Sequence, residues 1–275
     1  MSLRFATPPP PPVRLAGGGS LSFERTLVLG VVNVTPDSFS DGGLWLDPEA
    51  AIAHGLALVE AGADALDIGG ESTRPGSAPV SPEDQCARVL PVIKGLRRQL
   101  SIPLSIDTTS AHVAERALGA GASMVNDISA FRFDGGMLDL LARSGAPAIA
   151  MHTLDTPDRM QVNPEYDDVS RQVCAHLQER LMACERAGVD RNQVLLDPGI
   201  GFGKTLEHNL ELMGNLSALR DDAWGTLLGS SRKSWIDGLC DAPDPRDRMG
   251  GSIASAVCAL SHGVEIIRAH DVRET

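Results

Sequence analysis

Aromatic residues are scarce in this chain, and the cysteine patterns of disulfide or zinc proteins are missing. Phe, Trp and Tyr make up only 4% of the 275 residues. Ala, Leu, Val and Gly are abundant instead, which is typical of parallel sheets covered by helices rather than of β-sandwiches. The five cysteines are an odd number and form no C-x-x-C pair. We therefore expect free thiols in a reducing compartment.

Long apolar runs and an excess of positive charge are also absent. No stretch approaches the roughly 20 apolar residues of a transmembrane helix, and the N-terminus lacks the charged and apolar regions of a signal peptide. The formal net charge is −12, so the long-range field repels nucleic acids and anionic membranes. We expect a cytoplasmic protein that binds neither, in which an anionic substrate would need a local cluster of cations.

Short apolar or β-branched runs alternate along the chain with longer Ala- and Leu-rich segments of helical period. Eight strands are predicted, at Leu27–Val34, Ala65–Gly70, Pro103–Asp107, Ser123–Asp127, Ala146–His152, Gln193–Asp197, Thr226–Ser230 and Val264–Ala269. Such alternation admits either a closed barrel or an open doubly wound sheet. A polar residue follows every strand, which favours the barrel because a barrel gathers all eight strand ends into one mouth. The predicted fold is therefore α/β, a (β/α)8 TIM barrel.

The N-terminal segment has a different character. Residues 8–12 are a proline run that cannot join a sheet, so residues 1–12 are expected to be a disordered proline-rich tail. Two short alternating stretches at 13–15 and 21–23 then flank a glycine turn, which predicts an N-terminal β-hairpin that could plug the bottom of the barrel. We expect residues 13–275 to form a single domain.

Polar loops follow the first two predicted strands. Asn33 begins the first loop and offers a neutral oxygen for Mg2+ or an amide donor for a phosphate oxygen. The second loop carries Arg74 among glycines and hydroxyl groups. Arg74 could pair with Glu71 or with another surface carboxylate. In a barrel mouth it would instead bind an anion.

The segment DPGIGFGKT at residues 197–205 invites an interpretation as a nucleotide-binding loop. A Walker loop needs a glycine where Pro198 stands, and a dinucleotide fingerprint needs a glycine where Lys204 stands. Both interpretations fail. The glycines are better explained as a bending loop behind Asp197, whose carboxylate ends the sixth strand and points into the mouth.

Cations and carboxylates are both expected in the mouth. The two-residue period of a strand places Arg268 and His270 on the same face. With Lys233 and Arg74 they would form a cation cluster suited to a diphosphate. A second group follows other strand ends and comprises Asp107, Asn126 and Asp197. It could form a salt-bridge network, or it could bind a planar heterocycle with N–H donors and a carbonyl.

Seven segments, in this order along the chain, resemble the dihydropteroate synthase family. The resemblance covers essentially the whole chain from about Leu27 to Thr275, and seven ordered motifs are highly specific. The segments are NVTPDSFSDGG at 33–43, GGESTRPG at 69–76, SIDT at 105–108, NDIS at 126–129, DPGIGFGKT at 197–205, SRKS at 231–234 and RAHDV at 268–272.

The resemblance implies an enzyme activity and a cofactor. The family joins 6-hydroxymethyl-7,8-dihydropterin diphosphate to 4-aminobenzoate, releases diphosphate, forms 7,8-dihydropteroate for folate biosynthesis and is the target of sulfonamides. The C–O bond to diphosphate is thought to break first, so the reaction requires no protein nucleophile. Mg2+ assists the departing anion. The chain is therefore expected to be a Mg2+-dependent transferase.

The family pattern also implies a role for particular residues. The pterin ring would be held by the candidate catalytic residues Asp107, Asn126, Asp197 and Lys233. The diphosphate would be held by Asn33, Arg268 and His270, with the metal near Asn33. The loops that close over the site would carry Asp37, Phe39, Thr73, Arg74 and Pro75. The 4-aminobenzoate pocket would be shaped by Thr73, Pro75, Phe202, Lys233 and Ser234.

The sequence departs from the family pattern at two places. Ala130 stands where the family usually has a glycine after the NDIS segment. The given sequence ends at Thr275, directly after RAHDV, where the family pattern leads us to expect an eighth helix. We therefore expect that helix to be truncated or missing, and apolar faces of the last and first strands to meet solvent or a partner. Terminal barrel helices contribute to a homodimer in this family, so a homodimer is possible.

Two other functions fit a barrel of this kind. Corrinoid methyltransferases use a related barrel to bind a methylated folate, but they need no cation cluster for a diphosphate. A non-catalytic relative could keep the barrel and bind a ligand or a partner. The SRKS and RAHDV segments argue against the first alternative, and the intact set of site residues argues against the second.

Overall fold

The protein is described by a computed structural model over residues 9–35, 47–74, 76–222 and 224–275. Most of the expected proline-rich tail lies outside these residues, so a disordered tail stays a prediction. Asp37, Phe39 and Pro75 also lie outside them.

An N-terminal hairpin closes one end of the barrel. Strand β1 (Val13–Arg14) pairs antiparallel with β2 (Ser20–Leu21). The three glycines of the turn between them have positive φ, which a residue with a Cβ rarely adopts. Val13, Leu21 and Phe23 are buried in a cluster with side chains from the lower ends of the barrel strands. The predicted plug is confirmed.

Eight parallel strands form the barrel. They are β3 (Leu27–Asn33), β4 (Ala65–Gly69), β5 (Leu104–Asp107), β6 (Met124–Asp127), β7 (Ala148–Met151), β8 (Val194–Asp197), β9 (Leu227–Leu228) and β10 (Ile266–Ala269). From β3 to β8 each strand pairs with the next along the chain, and β10 lies between β3 and β9. A parallel bridge between Leu196 and Thr226 joins β8 to the residue before β9 and completes the circle. The predicted barrel and its eight strands are confirmed.

Helices cover the outer face of the barrel in the described part of the chain. They are α1 (Pro48–Glu60), α2 (Pro82–Arg97), α3 (Ala111–Ala120), α4 (Met137–Ser144), α5 (Val169–Arg186), α6 (Leu206–Gly214), α7 (Leu216–Asp222), α8 (Ser234–Cys240) and α9 (Met249–Ser261). Several begin at a side chain that accepts a hydrogen bond from the first turn, as helix N-caps do. Ser81, Ser110, Asp168 and Thr205 are examples. None of the helices in these parts of the chain is long and apolar enough to cross a membrane. The cytoplasmic location stays a prediction.

Residues 270–275 follow β10 and form a turn, so the described chain has no helix after its last strand. The expectation that this leaves apolar strand faces in solvent is wrong. Val32 of β3 and Ile267 of β10 are both buried, with 0% and 4% exposure. Val272, from the turn itself, is buried in the same core cluster. A single side chain of the turn thus joins the packing of this part of the barrel.

Candidate active site

Polar side chains converge where the strands end. Asn33, Asp107 and Asp197 are the last residues of β3, β5 and β8. A Cβ atom added to Gly69 would lie 3.7 Å from Asp107 Oδ2 and 3.8 Å from Asn33 Oδ1. A Cβ on Gly229 would lie 3.7 Å from Asp197 Oδ2. Glycine at these two strand ends therefore leaves open space beside the polar atoms of the mouth.

Arg268 of β10 lies between two carboxylates. Its Nη2 donates to Asp107 Oδ2 at 2.8 Å, and its Nε donates to Asp67 Oδ2 at 2.7 Å. Asn126 Nδ2 donates to the same oxygen of Asp67 at 2.9 Å. The salt-bridge network that the sequence left open is thus present, and it fixes Asp107, Asn126 and Arg268 relative to one another.

Asp67 was not predicted from the sequence, although a signal exists. It stands between Leu66 and Ile68 in β4, and its side chain has no exposure to solvent. In an apolar strand of period two, a lone carboxylate on the inner face has to be paired inside the barrel. Arg268, the cationic partner of Asp67, is 201 residues away in the sequence, so only the closed barrel identifies this pair.

Two carboxylates share the charge of one guanidinium in this group. Burial and, after it, the charge of Asp67 raise the pKa of Asp107 to about 7, against the opposing effect of Arg268. Asp107 therefore changes its protonation state close to neutral pH. It can accept a hydrogen bond as a carboxylate or donate one as an acid.

Asp197, Lys233 and Phe202 form the opposite side of the mouth. Asp197 Oδ1 accepts from the backbone N–H of Gly199 at 2.7 Å, and burial raises its pKa while Lys233 lowers it. Lys233 Nζ donates to Ile200 O at 2.5 Å and lies 4.5 Å from the centre of the Phe202 ring. Burial lowers the pKa of Lys233 to about 8. The structure thus brings together three residues that the sequence had assigned to substrate.

The SRKS and RAHDV segments are tied to each other. His270 Nδ1 lies 3.1 Å from Ser231 Oγ, and Arg232 forms an ion pair with Asp271. Burial lowers the pKa of His270 to about 3, and Arg268, Arg232 and, more weakly, Arg74 lower it too. His270 is therefore a neutral imidazole at pH 7, and the positive charge of this region comes from arginine and lysine.

The remaining predicted residues lie nearer the rim. Thr73 is half-buried, whereas Arg74 and Ser234, the first residue of α8, are exposed. Glu71, the alternative partner of Arg74, accepts hydrogen bonds from Val80 N and Gln85 Nε2 instead. The described ion pairs include none between Arg74 and Glu71.

Lys204 and Asp127 are two further buried charged residues that the sequence did not indicate. Lys204 had been considered only as part of a failed Walker motif, yet its side chain is buried and contacts His152 Nδ1 at 3.0 Å. His152 thus belongs to this contact, below the site. Asp127 Oδ1 accepts from both the backbone N–H and the hydroxyl of Ser129 at 2.7 Å. Burial raises the pKa of Asp127 to about 6 against these hydrogen bonds.

A metal ion would find few protein ligands at this mouth. Among the described residues no group of three or more His, Cys, Asp and Glu side chains could hold one. Asn33 offers a single neutral amide oxygen. Mg2+ commonly uses one or two protein oxygens together with substrate phosphates. The donor set therefore fits Mg2+ only if an anionic ligand and water together supply most of the oxygens.

Replacing Asp107 by Asn tests the charge balance around Arg268. The folded pKa of Asp107, about 7, exceeds its ordinary value of 3.8, so between these pH values only the folded state keeps the proton. The carboxyl therefore stabilises the fold less as the pH rises from about 4 to about 7. Asp107→Asn keeps an acceptor for Arg268 but removes the free-energy cost of ionising a buried carboxyl. We expect the melting temperature at pH 8 to rise by roughly 2–4 °C and to change much less at pH 5.

Scanning calorimetry at the two pH values measures this effect. Asp167→Asn, at an exposed carboxyl, is the matched control and is expected to leave both melting temperatures unchanged. A lower melting temperature for Asp107→Asn at pH 8 would contradict the charge balance.

Comparison with known proteins identifies the family. The pterin binding enzyme family matches residues 29–270. Dihydropteroate synthase from Synechocystis is 43% identical over 268 residues, which are 96% of this chain and 91% of that protein. A Xanthomonas albilineans dihydropteroate synthase with 4-aminobenzoic acid has a TM-score of 0.91 and 44% identity, covering 97% of this chain and 94% of that chain. A structure from the same organism in complex with 7,8-dihydropteroate has a TM-score of 0.86 and 42% identity, covering 96% and 95%. The chain belongs to the pterin binding enzyme family and, within it, to the dihydropteroate synthases.

Proposed function

We propose that the chain condenses 6-hydroxymethyl-7,8-dihydropterin diphosphate with 4-aminobenzoate to form 7,8-dihydropteroate and diphosphate. The observation that carries this proposal is the floor of the barrel mouth, where Arg268 joins Asp107 and Asp67 and where Asp197 lies near Lys233. The ligands of the two Xanthomonas albilineans structures, 4-aminobenzoic acid and 7,8-dihydropteroate, support the same substrate and product.

The pterin ring would lie against the buried carboxylates and amide. A pterin presents adjacent N–H donors and one carbonyl along its edge. Asp197 Oδ1 is occupied by Gly199 N, which leaves Oδ2, beside Gly229, for the donors of the ring. Lys233 would donate to the carbonyl or to a ring nitrogen. Asp107, with its pKa near neutrality, would accept from or donate to the ring nitrogens on the other side.

The reaction follows from the distribution of charge. The C–O bond to the diphosphate breaks, and its electron pair leaves with the diphosphate. The buried carboxylates stabilise the cation left on the methylene carbon, because preformed charges in a dry site need no reorganisation. The aniline nitrogen then forms the new C–N bond and loses a proton to the released diphosphate or to water. No protein nucleophile takes part.

The diphosphate would bind where the cations gather. Arg268 and Arg74 supply charge near His270, and the neutral His270 can donate one hydrogen bond to a phosphate oxygen. Asn33 would hold Mg2+ together with oxygens of the diphosphate. When bound, the ion would neutralise the negative charge that develops on the leaving group.

A two-substrate assay tests the proposed reaction. Diphosphate is expected to appear only when the dihydropterin diphosphate and 4-aminobenzoate are both present. Asp197→Ala is expected to weaken pterin binding by about a hundredfold, because the donors of the ring lose a buried charged acceptor. Fluorescence titration with the pterin measures the second effect.

Asp167→Ala, at an exposed carboxyl, controls for loss of charge and should leave turnover and pterin affinity unchanged. Unaltered pterin affinity in Asp197→Ala would contradict the site. Diphosphate release without 4-aminobenzoate would contradict the condensation.

Calorimetric titration with inorganic diphosphate tests the cation cluster by itself. His270→Ala and Arg74→Ala are each expected to weaken binding by roughly tenfold, and removal of Mg2+ should weaken binding to the wild type. Because the pKa of His270 is about 3, the ratio of affinities between wild type and His270→Ala should stay constant from pH 6 to pH 8.

If His270 were an imidazolium at pH 6, the ratio of diphosphate affinities between wild type and His270→Ala would instead become smaller as the pH rises. Arg246→Ala is the control, since this side chain is 81% exposed and its ion pair among the described residues is with the nearby Asp244. Equal losses in Arg246→Ala and Arg74→Ala would show that general charge, not the site, binds the anion.

We also propose that the chain forms a homodimer through the outer faces of α6, α8 and α9. These helices contact one another and carry large apolar side chains with high exposure, at Leu210, Leu239 and Val257. Clusters of this kind mark interaction surfaces more often than isolated apolar residues do. Sedimentation velocity should give a dimer for the wild type and a monomer for Val257→Glu. A wild-type monomer at micromolar concentrations would contradict the proposal.

A further inference from the structure

Side chains hold every backbone carbonyl in the middle of one loop. The glycine loop, which we define as residues 198–204 between β8 and α6, has five successive carbonyls at 199–203. Gly201 O accepts from Gln161 Nε2 at 2.8 Å, and Gly203 O accepts from Tyr166 Oη at 2.9 Å. Ile200 O accepts from Lys233. Lys204 holds the other two, Gly199 O and Phe202 O.

Lys204 sits at the centre of this arrangement. Its Nζ donates to Gly199 O at 3.0 Å and to Phe202 O at 2.9 Å, and it lies 3.0 Å from His152 Nδ1. The three contacts match the three donors of an ammonium group, and the side chain is only 4% exposed. The described ion pairs include none between Lys204 and a carboxylate.

Burial of this ammonium is unfavourable, so its presence calls for a physical reason. Burial lowers the pKa of Lys204 to about 7, which Asp197 partly opposes. Most basic residues of the chain are arginines. Only three of the 24 basic residues are lysines, namely Lys94, Lys204 and Lys233. Two of these three contact the glycine loop. A planar guanidinium could not converge on two carbonyls and an imidazole as a compact ammonium does.

The loop that Lys204 holds carries contacts of the active site. Ile200 O binds Lys233 Nζ, and the Phe202 ring lies against the same ammonium. Gly199, Gly201 and Gly203 have positive φ, and a Cβ on Gly201 would lie 3.1 Å from Lys233 Cδ. Lys233 therefore packs against the backbone of the glycine loop, and the hydrogen bonds of Lys204 fix the conformation of that backbone.

We propose that Lys204 is a positioning residue, which acts through the glycine loop to hold Phe202 and Lys233 in place for 4-aminobenzoate. The choice of substrate rests on the proposed function, whereas the effect on the loop does not. Without the ammonium, the carbonyls of Gly199 and Phe202 lose their donor. The loop then samples other conformations, and the pocket beside Phe202 loses its shape.

Lys204→Met tests this role, with Lys94→Met as the matched control at an exposed lysine. Amides of residues 199–203 are expected to exchange hydrogen at least about tenfold faster in Lys204→Met, while strand β4 keeps its protection. The KM for 4-aminobenzoate should rise about tenfold, since small displacements of positioning groups are costly. Pterin affinity should fall by a smaller factor than the KM rises, because Lys233 serves both substrates whereas Asp107 and Asn126 lie on other strands. Lys94→Met should match the wild type throughout.

Lys204→Gln is the second variant, in case the methionine variant does not fold. Its amide can still donate to a loop carbonyl, so the same changes should occur at smaller size. The proposal is overturned if a folded Lys204 variant keeps loop exchange and KM within about twofold of the wild type. It is also overturned if exchange accelerates equally in the loop and in β4, which would indicate a general loss of stability. If the wild type releases no diphosphate, the proposed function fails, but the exchange measurement still decides the role of Lys204.

Discussion

The pairing of Arg268 with two buried carboxylates is the constraint on which the rest of the site depends. One guanidinium holds Asp107 from β5 and Asp67 from β4, and Asp67 in turn holds Asn126 from β6. Four strands are thereby joined by polar contacts at one level of the barrel. Since two carboxylates compete for one positive charge, Asp107 keeps its proton up to about pH 7, and above that pH the group has a negative excess. A site of this kind is suited to a ligand rich in N–H donors or to a developing cation.

Carboxylates and arginines are both present in the mouth, and Arg268 lies between two of the carboxylates. The carboxylates lie on the floor, where a cation would develop, and the arginines lie around His270, where an anion would leave. Burial shifts the pKa of Asp107, Asp197, Lys233 and His270 toward the neutral form of each group. An anionic substrate would therefore meet a local cluster of cations, as the net charge of −12 requires.

The sequence was sufficient to predict the eight strands, the hairpin plug and the strand-end residues Asp107, Asn126 and Asp197, because strand period and turn chemistry are local properties. It did not indicate which side chains pair across the barrel. Arg268 was predicted as a ligand of diphosphate alone, since its contact with Asp67 depends on strand register and barrel closure. Lys204 was overlooked because two of its three partners are backbone carbonyls, which no residue pattern marks. The expected exposure of the last and first strands was wrong, since Val32 and Ile267 are buried in the same core cluster as Val272.

The charge state of Asp107 is the most direct test of this account. Carbon-13 NMR of protein labelled at the aspartate carboxyl carbons can follow each buried carboxyl as the pH changes. One aspartate carboxyl is expected to titrate near pH 7, and its carbon-13 signal is expected to be lost in Asp107→Asn. If the carboxyl that disappears in this variant titrates near its ordinary value of 3.8 instead, Arg268 neutralises Asp107 fully, and the proposed balance of charge in the barrel mouth is wrong.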